Sequence, residues 1–288
     1  MKISRRDFLK TTALTSLYFA GFSAHSYANS GKKKNLVIIM LRGGMDGLCA
    51  IPVKGDKNFE KLRSKINLDR TLKLTSDFDL HPALKTFKSL WDQNLSAAVH
   101  ATNIPYTGRS HFDGQNLMES GGKIPYQEKT GWLGRGMKIA GLTGNGLALA
   151  LPMPLLIRGV PMNNNYFPVG HKLPYPSTLK MIQEVYKEYD EKLLSENLEI
   201  IQTRELSNTS TDSSWVLASN AANELSKADG PRVAVFEVDG FDTHAAQGAT
   251  NGAHADCLSD YDKIVKSLKS SMSKEAFDNT LILTLTEF

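Results

Sequence analysis

Four short, nearly continuous apolar runs constrain this chain more than anything else in it: 35–40 (NLVIIM), 96–102 (SAAVHAT), 232–238 (RVAVFEV) and 280–286 (TLILTLT). A strand with one wet face alternates apolar and polar residues. Runs that are apolar on both faces belong to parallel strands covered from both sides. Helical patterns lie between them. Over 82–93, Leu84, Phe87, Leu90 and Trp91 share a face, and over 254–272 so do Leu258, Tyr261, Ile264, Val265 and Leu268. Strands alternating with helices predict an α/β fold, a three-layer sandwich with a mostly parallel central sheet. Ligands of such sheets gather in the loops beyond the carboxyl ends of the strands, so chemistry is to be sought there.

The segment 147–157 holds two short apolar runs split by Pro152 and Pro154, and 161–176 is rich in Asn, Pro and Gly. Both read as an irregular excursion. Over 177–206, Leu179, Ile182, Tyr186, Tyr189 and Leu193 recur at helical spacing, which predicts a long amphipathic helix with a break near Glu196. A polar linker, 207–214, follows, and Asp212 is placed to cap a further helix through Leu225. The organisation expected is one domain over 29–288 with a helical insertion around 161–228.

The first 28 residues have another purpose. Arg5 and Arg6 precede a weakly apolar run from Thr11 to Ala24, and Ser26-Tyr27-Ala28 places small residues at the positions a signal peptidase reads. The run is shorter than the roughly 20 apolar residues that span a bilayer, so no permanent membrane anchor is expected. The paired arginines resemble the twin-arginine signal, which implies passage of a folded protein through the twin-arginine translocation machinery to the periplasm.

Charge narrows the partners. The chain carries +4 overall, but Lys2, Arg5, Arg6 and Lys10 against Asp7 put +3 of it in the leader, leaving about +1 for the rest. That balance supplies no basic face for nucleic acid. With 41% hydrophobic and 22% charged residues, the composition is globular rather than disordered, fibrous or polytopic. Two cysteines, Cys49 and Cys257, show no metal or redox spacing and read as small buried hydrophobes. There is no phosphate loop and no dinucleotide fingerprint, which excludes a nucleotide-dependent enzyme.

Each strand end then offers candidates. After the first comes Arg42-Gly43-Gly44-Met45-Asp46-Gly47, where glycines let the chain turn so that Asp46 faces the carboxyl edge, although a plain Gly-Asp turn would look the same. After the second comes Ser110-His111-Phe112-Asp113. Ser110 and Asp113 fit a helix cap, and a hydroxyl at a helix start also suits phosphate or sulfate chemistry. His111 is a ligand, a substrate partner or an uninvolved histidine. After the third, Asp242 and His244 stand two apart, and side chains at i and i+2 can reach one cation, while Asp239 reads rather as a turn cap. The fourth run ends in Glu287-Phe288. Three acids and a histidine at one rim make a hard, mixed oxygen and nitrogen site suited to Zn, Mn or a similar divalent ion.

Together, LRGGMDGL, HPAL, SHFDGQNLMESG, GWLGR, GFDTHAAQG and TLTEF, in that order behind the twin-arginine signal, resemble the family called domain of unknown function 1501, from about Asn35 to Phe288. That family is similar to the alkaline phosphatase and sulfatase superfamily. The resemblance implies an alkaline phosphatase-like fold, Asp46, Asp242, His244 and Glu287 as metal ligands, and Ser110 as nucleophile. In the family the TEF segment continues as Gly-Arg-Thr and a later Thr-Asp-His-Gly stretch supplies a further ligand, so the resemblance also implies that the C-terminal part is missing.

Two functions are expected from this reading. One is a metal-dependent periplasmic hydrolase of a small anionic ester, a phosphate or a sulfate, with Ser110 and His111 at its centre. The other is a non-catalytic periplasmic binding or assembly protein on the same scaffold. Nothing in the sequence fixes the oligomeric state.

Overall fold

The computed structural model describes residues 33–66, 68–149, 153–161, 163–165, 175–188 and 213–288. By its contacts the chain separates into Met1–Lys34 and Asn35–Phe288, and the fold below is that of the second unit. The expected export signal over 1–28 lies outside the described residues. So do the expected helix beyond 188 with its break near Glu196, most of the linker and Asp212.

The first strand, β1 (Asn35–Leu41), has Val37, Ile38, Ile39 and Met40 without exposed surface. After it come α1 (Gly47–Ala50), α2 (Lys57–Leu62), β2 (Leu72–Lys73), β3 (Asp79–Leu80), α3 (Lys85–Asp92), α4 (His111–Ser120) and α5 (Trp132–Ile139). The chain continues through β4 (Gly146–Leu149), β5 (Asn164–Asn165), α6 (Pro176–Glu188), α7 (Ser214–Ser226), β6 (Val233–Val238), α8 (Ala253–Ser271), α9 (Lys274–Asp278) and β7 (Thr280–Thr286). The main sheet runs β5-β4-β6-β1-β7, and β4, β6, β1 and β7 form an all-parallel four-strand sheet flanked by helices, with two-residue β5 parallel at its edge. The expected α/β class and parallel sheet are therefore found. Leu41 pairs with Val238 on one side and Thr286 on the other, so three neighbouring strands end level at their carboxyl edge.

Alternate side chains of β1 feed two cores. Val37, Ile39 and Leu41 pack with Phe236 of β6, Ala218 and Ala222 of α7, and Leu258 and Ile264 of α8. Ile38 and Met40 pack with Met118 of α4 and with Leu133 and Met137 of α5. Small residues let α7 lie close to α8, where Ser267 Oγ donates to the Trp215 carbonyl at 2.6 Å and the Ser219 and Ser271 hydroxyls meet at 2.8 Å. Although α7 falls within 161–228, it belongs to the cover of the sheet, with Ala218, Ala222 and Leu225 fully buried.

Two strand assignments differ from the sequence reading. Residues 96–102 form no strand; Val99 is 79% exposed there. Three of the four apolar residues in that run are alanines, and alanines with one valine bury too little apolar area to hold a segment that has no ladder partner. Conversely, β4 lies within a stretch expected to be irregular, and its four residues are all buried. Four residues flanked by proline-rich chain leave no period to detect. Among the described residues no helix is long and apolar enough to cross a membrane.

The two faces of β7 are unlike. On β7, Ile282 packs against the α7 and α8 core and Thr284 Oγ1 meets the Tyr261 hydroxyl at 3.0 Å, whereas Leu281 on the opposite face is 55% exposed. Ile39→Ala should therefore cost about 2–5 kcal/mol, and Leu281→Ala less than about 1 kcal/mol. Denaturant midpoints of the two variants check this, and equal losses would show that Leu281 is covered.

Candidate functional site

The level ends of β6, β1 and β7 bring their following turns into contact. Arg42 N–H donates to the Val238 carbonyl at 2.8 Å and Phe241 N–H returns to the Arg42 carbonyl at 3.2 Å, carrying the ladder past both strands. Gly43 has φ 108°, and a β-carbon on it would stand 2.2 Å from Asp242 N, so only glycine lets the two turns meet.

Glu287 sits under this crossing with no exposed side-chain surface. Its Oε1 accepts from Gly43 N–H at 2.7 Å and from Gln115 Nε2 at 3.1 Å, and faces His111 Nδ1 at 3.1 Å. Its Oε2 is buried without a partner. Burial alone would push this carboxyl up, but the hydrogen bonds from Gln115, the backbone and His111 outweigh it and hold Glu287 below the ordinary range. His111 Nε2 lies 3.4 Å from Asp242 Oδ1, and His244 Nε2 lies 2.9 Å from the same oxygen. Side chains from the turns after β6 and β7 and from the first residue of α4 are thus joined as Glu287, His111, Asp242 and His244. Asp242 is 43% exposed on its side chain, so the outer end of this series is open to solvent.

Asp46 is not part of it. Its carboxylate caps α1 through Cys49 N–H at 3.1 Å, pairs with Arg63 and accepts from Gln247 Nε2 at 2.8 Å. Burial raises its pKa, yet Arg63 and Gln247 bring it below the usual value. The glycine turn does lead to the carboxyl edge, but an arginine seventeen residues on captures the acid, and nothing in the local spacing announces that. Ser110 is the N-cap of α4, its Oγ accepting from Asp113 N–H at 3.2 Å. Among the described residues that amide is the partner given for its hydroxyl, and no base is bonded to it. Asp239 lies beyond β6 with its carbonyl, not its carboxylate, facing Cys257 Sγ at 3.8 Å. Burial and the nearby Asp46 push the Cys49 thiol up to about 11, which leaves it a neutral hydrophobe.

The cluster offers carboxylate and imidazole donors, and Glu287 Oε2 is buried there without a partner. Among the described residues no group of three His, Cys, Asp or Glu side chains is placed to hold a metal ion. Sequence reasoning missed Gln115, although it stands one helical turn after His111 on the same face of α4. It also missed the partly buried network in which Arg42 binds Glu237, Glu119 at 2.9 Å and Gln115 Oε1 at 3.0 Å. Charges so far apart in sequence give no local signal.

Two further histidines support the turn before α8. His81 is fully buried, its Nδ1 accepting from Ala83 N–H at 3.1 Å and its Nε2 facing the Ala249 carbonyl at 2.9 Å, a neutral tautomer fixed from both sides. His254 is 1% exposed, packs edge-on to Phe241 at 5.5 Å and leaves both ring nitrogens unpartnered. Burial lowers both imidazoles below their ordinary 6.5. The folded state therefore refuses a proton that the unfolded chain accepts. Stability is whole above pH 6.5 and falls as pH drops from there through the depressed folded values. His254→Leu should remove part of the loss below pH 6.5, read from thermal midpoints on either side of that pH; an unchanged profile would show that His254 is not held neutral.

Comparison with models of protein families, with curated proteins and with solved structures finds no match.

Proposed function

We propose that this chain is an exported hydrolase that cleaves phosphate or sulfate esters at the carboxyl edge of its sheet, on a scaffold like that of alkaline phosphatase. The observation that carries this reading is the buried Glu287 against His111 Nδ1, with His111 Nε2 turned to the solvent-open Asp242. A buried carboxylate on one imidazole nitrogen fixes the tautomer and leaves the other nitrogen to take or return a proton. His111 is then the acid and base of the reaction, Glu287 its positioning residue, and the attacking group water or the Ser110 hydroxyl. The motifs that resemble the domain of unknown function 1501 family supply these residues, in SHFD, FDTH and TEF. Zinc or manganese belongs to the same proposal only as an addition to be tested, with the unpartnered Glu287 Oε2 in its favour. No step is drawn through it.

The second reading, a non-catalytic periplasmic binding or assembly protein, has its own support. Ser110 Oγ accepts the helix amide of Asp113, and no metal-ligand triad is present among the described residues.

Aryl phosphate and aryl sulfate turnover by the purified chain, with chelator or with added zinc or manganese, separates the two. His111→Gln should lower turnover by about 100-fold or more. Ser110→Ala should abolish turnover if the hydroxyl attacks, or cost only about 1 kcal/mol of stability with activity kept if it is a cap. No turnover under any metal condition by a cooperatively folded protein would favour the second reading. Export is part of both readings. Replacing Arg5 and Arg6 with Lys should leave precursor in the cytoplasm, and normal periplasmic accumulation would reject the twin-arginine route.

A further inference from the structure

A groove of about 930 Å³ runs between the start of α3 and the outer face of α8, and shares no residue with the candidate site. Lys263, Lys266 and Lys269 line it from α8, Lys85 from α3 and Arg70 from the preceding loop. The three α8 lysines recur every third residue and so extend over about 9 Å of helix axis. Lys263 is engaged, 2.9 Å from Asp260 and 4.5 Å above the Trp215 ring. Among the described residues the other four cations have no ion-pair partner.

The groove holds two acids, each at a helix N-terminus. Asp262 is 8% exposed and accepts from Thr86 N–H at 2.9 Å and Phe87 N–H at 3.2 Å, while Asp256 lies in the first turn of α8. Helix N-termini carry partial positive charge that offsets such carboxylates, so the lysines and Arg70 dominate the field. Thr86, Ser89 and Ser259 add hydroxyls.

The lining also discriminates among polyanions. It contains no aromatic side chain on which a nucleic-acid base could stack. Its apolar part is Pro82, Ala83 and Ala255, too little to anchor the side chains of a peptide. Four of its five cations are lysines, compact point charges that bind phosphate oxygens without a fixed geometry and so suit a flexible chain of phosphates. We propose that this groove binds an extended chain of phosphate groups, a linear polyphosphate-like polyanion, independently of the chemistry at the sheet edge.

Calorimetric titration of the full chain with inorganic polyphosphate at two salt concentrations tests this. Replacing Lys85, Lys266 and Lys269 together with Gln should weaken binding by at least about tenfold and reduce the slope of log affinity against log salt by about 2. The thermal midpoint should stay unchanged, since none of the three is buried. Arginine at all three positions should retain binding. Equal affinity of the Gln variant would overturn the proposal, as would tighter binding of a poly-glutamate peptide or of a single-stranded oligonucleotide in a manner that depends on the same three lysines.

Discussion

A carboxylate withdrawn from water needs donors or a cation, and Glu287 finds its donors on one oxygen alone. Gly43, Gln115 and His111 converge there from the turn after β1 and from α4. That convergence requires β1 and β7 to end level, the Gly43 turn to adopt φ 108°, and α4 to begin where His111 reaches inward. Desolvation of an unpaired carboxylate would cost several kcal/mol, so the position of Glu287 couples the sheet register to the head of α4. The same coupling sets His111 against Asp242 and defines where chemistry can occur.

How much of this was legible depends on how far apart the partners stand in sequence. The runs at 35–40, 232–238 and 280–286 were readable as strands because unbroken apolar residues on both faces have one stable use, and those three strands place Asp242, His244 and Glu287 at one edge. Ser110 was readable as a cap from its three-residue spacing to Asp113. The run at 96–102 misled because alanine counts as apolar in a pattern but contributes little area to a core. The pairing of Asp46 with Arg63 was not legible because the two stand seventeen residues apart, and the Arg42 network escaped because its acids come from α4 and β6.

The site poses a question of charge rather than of shape. Asp242 and Glu287 both approach His111, and His244 approaches Asp242, so carboxylates and imidazoles stand side by side at this edge. Glu287 Oε2 is a buried oxygen with coordination capacity unused. Whether the edge acts through imidazole alone or with a metal is therefore decided by how strongly Glu287 and His111 hold each other.

That coupling is measured most directly by a double-mutant cycle on stability, comparing Glu287→Gln, His111→Gln and the pair. If Glu287 and His111 act as a unit, the pair should lose less than the two singles together, with an interaction energy of about 0.5–3 kcal/mol. Additive losses would show that Glu287 is held by Gly43 and Gln115 alone, and would remove the fixed imidazole on which the hydrolytic reading rests.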